Sequence, residues 1–270
     1  MSKKQPTVLL TGAAGGLGQA ITGFFSARGC TVIATDLESQ LHNSSTTGEN
    51  IHYFPVDVTD GSSLKSLKNT LEKEGLQPDV VINNAGIYTM FPLSESDLRA
   101  LQKIFEVNTF GAVQVIRTFL PILVERHGRV INISSDSVRI PWLFQPYQSS
   151  KIALEALSRA MRQELRLRKV KLIIIRPGAM QTPLLNWMDK SPELPSGSFF
   201  HKEFKAFYEK ACKSVGKTIP PEKAASVIYR AATTPHPKRY YRINNNPLLR
   251  MASWLPEKIQ DGLALRVING

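Results

Sequence analysis

Residues 7–29, TVLLTGAAGGLGQAITGFFSARG, pass from a short apolar run through a glycine-rich turn into a segment with apolar residues at helical spacing. That order, strand then turn then helix, decides the fold class. Gly12, Gly16 and Gly18 permit a tight turn, a close backbone approach to a pyrophosphate, and close packing of helix on strand. The helix N-terminus adds unpaired N–H groups and the positive end of a dipole. Asp36 closes the next apolar run, TVIATD, at the distance expected for a carboxylate that accepts hydrogen bonds from an adenosine ribose. A carboxylate there repels a 2′-phosphate, and Ala13-Ala14-Gly15 brings no cation to neutralise one, so NAD is expected over NADP. Arg28 or Lys3 reaching the site would reverse that expectation.

Working outward, the runs TVLLTG, TVIATD, IHYFPVDV, DVVINNAG, GRVINISS and VKLIIIRPG alternate with longer segments of helical periodicity. Those segments are 18–28, 62–74, 96–107, 112–126 and 147–167. Several of the runs lack polar alternation, as strands buried on both faces do. The pattern predicts an α/β fold, a doubly wound parallel sheet with helices on both faces. No repeat or linker divides the 270 residues, so one domain over 1–270 is expected. The aromatic-rich, irregular stretch 183–220 reads as an insertion that forms a substrate lid, and 247–268 as an interrupted amphipathic tail packed back on the domain.

The formal net charge of +12 arises from scattered residues rather than from a dense basic run, which argues for a solvated surface and against nucleic acid as partner. Cys30 and Cys212 lie far apart without metal-ligand spacing, so reduced thiols and no metal site are expected. The N-terminal apolar run is too short for a signal peptide, and Gln114 and Arg117 interrupt the longest apolar stretch. A cytoplasmic protein with no integral membrane segment is the resulting expectation.

Tyr147 and Lys151, in YQSSK, stand one turn apart on the same helical face. A free phenol has a pKa of about 10; lowering it by about 3 units takes roughly 4 kcal/mol of preferential phenolate stabilisation. A positive charge about 5 Å away supplies roughly 3.3 kcal/mol at an effective dielectric near 20. The pair therefore reads as an acid–base device in which an ammonium acidifies a phenol.

TGAAGGLG, Asp57-Val58, NNAG from Asn83 to Gly86, Asn108 in VNTFG, Ser134-Ser135, YQSSK, and RPG followed by Thr182 together resemble the successive motifs of the short-chain dehydrogenase/reductase family. The tail PKRYY with LPEKIQDGL is similar to members acting on steroids or retinoids, the retinol and 17β-hydroxysteroid dehydrogenase branch. The resemblance implies a single Rossmann-type domain that exchanges hydride between nicotinamide and a secondary alcohol, ketone or aldehyde. It implies catalytic roles for Tyr147, Lys151, a serine and Asn108, the last holding a water in a proton relay. It assigns cofactor contacts to Gly12, Gly16, Leu17, Gly18, Asp36, Asp57, Val58, Asn84, Ala85, Gly86, Tyr147, Lys151, Pro177, Gly178 and Thr182. Asn84 to Gly86 would approach the adenosine side, Asp57-Val58 the adenine edge, and Thr182 the nicotinamide carboxamide. A homodimer or homotetramer is also implied.

The serine is open at this level. The family usually places it second in the SS pair and thirteen residues before the tyrosine, whereas here Ser135 lies twelve before Tyr147 and Ser134 thirteen. Successive strand residues point oppositely, so one hydroxyl of the pair faces the cofactor. Ser135 is favoured, because the strand anchors the register while a loop readily loses a residue. Ser134 and Ser137 remain the alternatives. Trp142, Phe144 and Trp187 are candidate walls of an apolar substrate pocket, which points to a bulky steroid- or retinoid-like alcohol or carbonyl compound. The competing reading is a catalytically silent NAD-binding regulatory or scaffold protein.

Overall fold

The computed structural model describes residues 5–42, 44–188 and 193–269, the side chains of 187, 188 and 267–269 excepted. Its strands are β1 (Thr7–Thr11), β2 (Thr31–Asp36), β3 (Ile51–Pro55), β4 (Val80–Asn83), β5 (Arg129–Ile133), β6 (Lys171–Pro177) and β7 (Tyr240–Ile243). Its helices are α1 (Gly16–Ser26), α2 (Glu38–Leu41), α3 (Gly61–Lys73), α4 (Leu98–Phe105), α5 (Ala112–Glu125), α6 (Pro146–Leu167), α7 (His201–Ser214), α8 (Pro221–Thr233), α9 (Pro247–Ala252) and α10 (Glu257–Asn269). All seven strands are parallel, in the order β3-β2-β1-β4-β5-β6-β7.

The period of two along each strand sorts its side chains into two cores. Val8 and Leu10 of β1 face α1 and α8, where Ile21, Phe25 and Ile228 meet them. Leu9 faces the other way, toward Leu67 and Leu71 of α3 and Phe119 and Leu123 of α5. Apolar runs without polar alternation are what a sheet covered on both faces requires, and the doubly wound, Rossmann-like architecture follows.

Three segments differ from the sequence expectation. β7 was not anticipated, because YYRI is short and alternates in burial like an edge strand. Within the stretch read as irregular, His201–Ser214 forms the helix α7, whose Phe204, Phe207 and Tyr208 are buried in a third cluster with Met90 and Phe144. The stretch Leu98–Glu125 is helical throughout and is long and apolar enough to cross a membrane, although Gln114 and Arg117 interrupt it; half of its most apolar window is buried inside the molecule. Within it, Glu106–Gly111 form a π-helical turn between α4 and α5, a distortion frequent at functional sites.

Candidate active site

The chain leaves β1 and β4 in opposite directions, which opens a crevice beyond the carboxyl ends of these neighbouring strands. The turns after the two strands are laced together there. The buried Thr11 hydroxyl accepts hydrogen bonds from the Asn84 and Ala85 N–H groups, both at 3.1 Å. The Asn84 side chain donates to the carbonyls of Thr11 and Gly12 at 3.1 and 2.9 Å. Sequence reasoning does not single out Thr11, yet its signal is legible as a hydroxyl ending an apolar strand.

The glycine turn has the shape of an anion cradle. Gly12 has φ +66°, and a Cβ there would lie 2.8 Å from the Ala85 Cα. Gly18 packs against the Gly12 carbonyl so closely that no side chain fits. Leu17 turns its side chain into the core. The N–H groups of Gly16, Leu17 and Gly18 therefore open α1 without intrahelical acceptors. A Cβ on Gly16 would lie 2.8 Å from Pro183 Cδ and 3.0 Å from Thr182 Cβ, so the chain following β6 crosses directly over the turn. Pro177 is buried at the end of β6, and Gly178 N–H donates to the Ile243 carbonyl at 2.8 Å, which fixes how that segment leaves the sheet.

Asp36 Oδ2 accepts from the Ala14 N–H at 2.9 Å and Oδ1 from Leu37 N–H at 2.8 Å, which holds the carboxylate beside the glycine turn. Arg28 is stacked on the Phe24 ring at 3.5 Å and donates to the Phe24 carbonyl. Lys3 lies outside the described residues. Asp57 Oδ1 accepts from the Thr59 N–H and hydroxyl at 2.8 and 2.7 Å, and Val58 packs into the core against Gly111. The side chains of Asp57 and Val58 thus shape the loop. A Cβ on Gly86 would lie 3.2 Å from Asn108 Oδ1 and 3.4 Å from Lys151 Nζ, so this end of the loop after β4 lies beside both side chains.

Tyr147 and Lys151 sit in the first turns of α6, which Pro146 opens with its preset φ. The Tyr147 hydroxyl shares a hydrogen bond with that of Ser135. Lys151 Nζ lies 5.9 Å from the Tyr147 ring centroid and donates to the Ile133 carbonyl at 2.9 Å. Tyr88 tilts against Tyr147 with ring centroids 4.9 Å apart. Ser135 Oγ also accepts from the Ser137 N–H and hydroxyl at 3.2 and 2.9 Å. Ser134 instead points away, donating to Glu155 Oε1 at 2.6 Å.

The electrostatics correct the simple picture of an ammonium that acidifies a phenol. Burial pushes the Tyr147 phenol up to about 12, with the Ser135 hydrogen bond opposing, and pushes the Lys151 ammonium down to about 8. The Coulomb argument omits the desolvation of both charged forms, and within the protein alone that effect is the larger.

Asn108 lies in the π turn, buried. Its side chain accepts from the Ile87 N–H at 2.8 Å and donates to the Ile87 carbonyl at 2.9 Å and to Ser150 Oγ at 3.0 Å. It thereby clamps the loop after β4 to α6, and no free side-chain donor remains. Of the pocket candidates, Phe144 has φ +59° and is buried against Phe200, Phe204 and Phe207 at centroid distances of 5.8, 5.4 and 5.6 Å. It joins α7 to the loop ahead of Tyr147. The Trp142 N–H donates to Gln148 Oε1 at 2.7 Å. Trp187 belongs to the 3-10 turn Pro183–Met188, and its side chain lies outside the described residues.

Several supporting residues have roles that sequence reasoning does not assign. Gln148 also donates to the carbonyls of Ser137 and Ile140, which ties the serine loop to α6. Asp136 pairs with Arg139 at 2.6 Å and accepts from the Asn246 N–H at 2.8 Å. Glu155 is paired with Arg176.

Comparison with known proteins agrees with this geometry. The sequence profile of a family described as short chain dehydrogenase matches residues 6–192. The short-chain dehydrogenase virD of Hypocrea virens is 33% identical over 205 residues, 74% of this chain and 70% of that protein. Estradiol 17-beta-dehydrogenase 2 of Rattus norvegicus is 33% identical over 196 residues, which cover 68% of this chain and 51% of that one. The crystal structure of a short-chain dehydrogenase from Streptomyces avermitilis superposes with a TM-score of 0.79 at 28% identity, over 97% of this chain and 96% of that one.

Proposed function

The chain belongs to the short-chain dehydrogenase family of oxidoreductases, and from that premise we propose that it is an NAD(H)-dependent alcohol dehydrogenase or carbonyl reductase acting on a bulky apolar secondary alcohol, ketone or aldehyde. The observation that carries the proposal is the hydrogen bond between Ser135 and Tyr147, with Lys151 on the next turn of α6, at the carboxyl edge of the sheet.

The crevice residues fit a nicotinamide dinucleotide. Gly12, Gly16 and Gly18 let the turn pack closely against Ala85, the segment after β6 and the Gly12 carbonyl, and the first N–H groups of α1, which lack intrahelical acceptors, are available to a phosphate. Asp36 accepts from Ala14 and retains lone pairs for ribose hydroxyls. Its charge opposes a 2′-phosphate, and Arg28, held over Phe24, does not offset it. These features support NAD over NADP. Asn84, Ala85, Gly86, Pro177, Gly178 and Thr182 would flank the dinucleotide through backbone and small side chains. When bound, the dinucleotide supplies the hydride acceptor or donor.

In ketone reduction the Tyr147 hydroxyl gives its proton to the substrate oxygen, and in alcohol oxidation the phenolate takes it back. Ser135 hydrogen-bonds that same oxygen and stabilises the charge that develops on it. The Lys151 ammonium lowers the energy of the phenolate in either direction. Asn108 holds the loop at Gly86 against α6 and so fixes the distance between the crevice wall and Lys151.

The cluster of Phe144, Phe204, Phe207 and Tyr208 supports a lid formed by 183–220 over an apolar substrate. Trp142 is the proposed wall residue. Turnover of steroids, retinoids and small ketones with NADH and with NADPH tests the proposal. NADH-dependent reduction of an apolar ketone is expected. Tight NADH binding without turnover on any carbonyl would favour a silent cofactor-binding protein.

A further inference from the structure

At the opposite end of the sheet from Tyr147, the C-terminal turns of α6, the start of β6 and the approach to β7 enclose a cleft of about 720 Å³. That volume falls within the range of small-molecule sites, roughly 300–1,000 Å³. Its walls include Arg162, Arg166, Lys169, Lys171, Lys238 and Arg239, and none of the residues described as lining it is acidic. Fifteen residues of α6 separate Tyr147 from Arg162, a distance of about 22 Å at the helical rise per residue.

Concentrating six cations around one concavity is unfavourable without counter-charge, and the structure gives them little. Among the described residues, none of the six has a carboxylate within ion-pair distance. Arg162 Nη1 is buried with no hydrogen-bond partner, an arrangement that native proteins rarely leave unexplained. Its guanidinium is held 5.6 Å from the centroid of the Tyr240 ring, which fixes the group in place. Lys171 Nζ donates to the Pro235 carbonyl at 2.7 Å, while desolvation and the neighbouring Arg129 cation hold its pKa below the ordinary value. Lys169 follows α6 with φ +59°, a backbone conformation in which glycine would carry no strain.

We infer that this cleft is a second ligand site, for a compact polyanion bearing two or more phosphate or sulfate groups. Arg162 and Arg166, one turn apart, present planar donors to one group, while Lys169, Lys238 and Arg239 neutralise another at the mouth. The shared chemistry is the multiply charged phosphate; it can belong to a free molecule or to an anionic lipid headgroup. The site is independent of the proposed reaction, since it shares no residue with the crevice.

Calorimetric titration of the full chain with sodium tripolyphosphate under saturating NADH, alongside sedimentation with phosphatidylcholine vesicles containing phosphatidylinositol 4-phosphate, tests the inference. The reversing variant is R166E/R239E, both residues being exposed. K202E/K205E, on α7 and away from the cleft, makes the same change in net charge. R166E/R239E is expected to weaken binding more than about tenfold, against less than about twofold for K202E/K205E, with cooperative unfolding retained in both. Loss of tripolyphosphate binding identifies a soluble ligand, and loss confined to vesicles identifies a lipid headgroup; either supports the site. Equal weakening by both variants would reduce the effect to net charge and overturn it, as would unchanged binding in R166E/R239E or no binding by the wild type to either probe. A 20-base-pair duplex binding more tightly than both probes would make this a nucleic-acid surface and overturn the small-ligand assignment.

Discussion

Ser134 and Ser135 are adjacent in sequence but belong to different hydrogen-bond networks: Ser134 donates to Glu155, and Ser135 meets Tyr147. Their alternation at the end of β5 separates a structural hydroxyl from a chemical one. Ser135→Ala is therefore expected to lower kcat/KM for ketone reduction by about 10²–10³-fold. Ser134→Ala is expected to change it by less than about threefold, while destabilising the protein by about 1–3 kcal/mol through Glu155. Steady-state kinetics with urea unfolding of both variants separates the roles; the reverse pattern would reassign the serine.

Glu155 and Arg176 form a buried ion pair beneath the serine loop, at 8% and 18% side-chain exposure. Removing one partner strands the other charge. Glu155→Ala is expected to lose about 3–5 kcal/mol of stability. The paired replacement Glu155→Met with Arg176→Met should recover much of that loss in the same unfolding measurement.

Burial holds the Lys151 ammonium at about 8 in the folded protein, below its ordinary 10.5. The folded state therefore binds fewer protons than the unfolded one between these values, so this group makes stability rise with pH from about 8 to about 10.5. Lys151→Met is expected to remove that slope and to stabilise the protein near pH 7 by up to about 3 kcal/mol while abolishing turnover. Thermal unfolding across this pH range checks both the slope and its loss.

Asp36 faces Ala14 and Leu37 through both carboxylate oxygens, and no described cation pairs with it. Asp36→Ala with Leu37→Arg is expected to reverse the ratio of kcat/KM between NADH and NADPH by about 10²-fold or more, because a repelling charge is replaced by an attracting one. An unchanged ratio would place cofactor discrimination elsewhere.

The fold was legible because its information is local: apolar runs without alternation mark doubly covered strands, and the turn at Gly12 can be read residue by residue. β7 and α7 were less legible. YYRI is a strand because β6 offers it an edge, and α7 is placed by Phe144, which lies fifty-seven residues upstream of its first residue. In the site, the spacing of Tyr147 and Lys151 follows from helical geometry, whereas the balance between Coulomb attraction and desolvation depends on burial that no spacing reveals. Spacing alone favoured Ser134, and strand register favoured Ser135. Asn108 carries a recognisable motif, but its clamp on Ile87 exists only because the π turn brings it beneath that loop. The basic cleft was hidden for a related reason. Scattered cations on α6 and before β7 looked like a solvated surface until the sheet gathered them.

The most direct test is single-turnover NADH oxidation by the wild type and Tyr147→Phe, each presaturated with NADH and mixed with an apolar ketone that the wild type reduces. The account predicts rapid oxidation by the wild type and a rate about 10²–10⁴-fold lower in the variant, with NADH affinity unchanged. Oxidation by Tyr147→Phe at the wild-type rate would contradict the assignment of the phenol as proton donor.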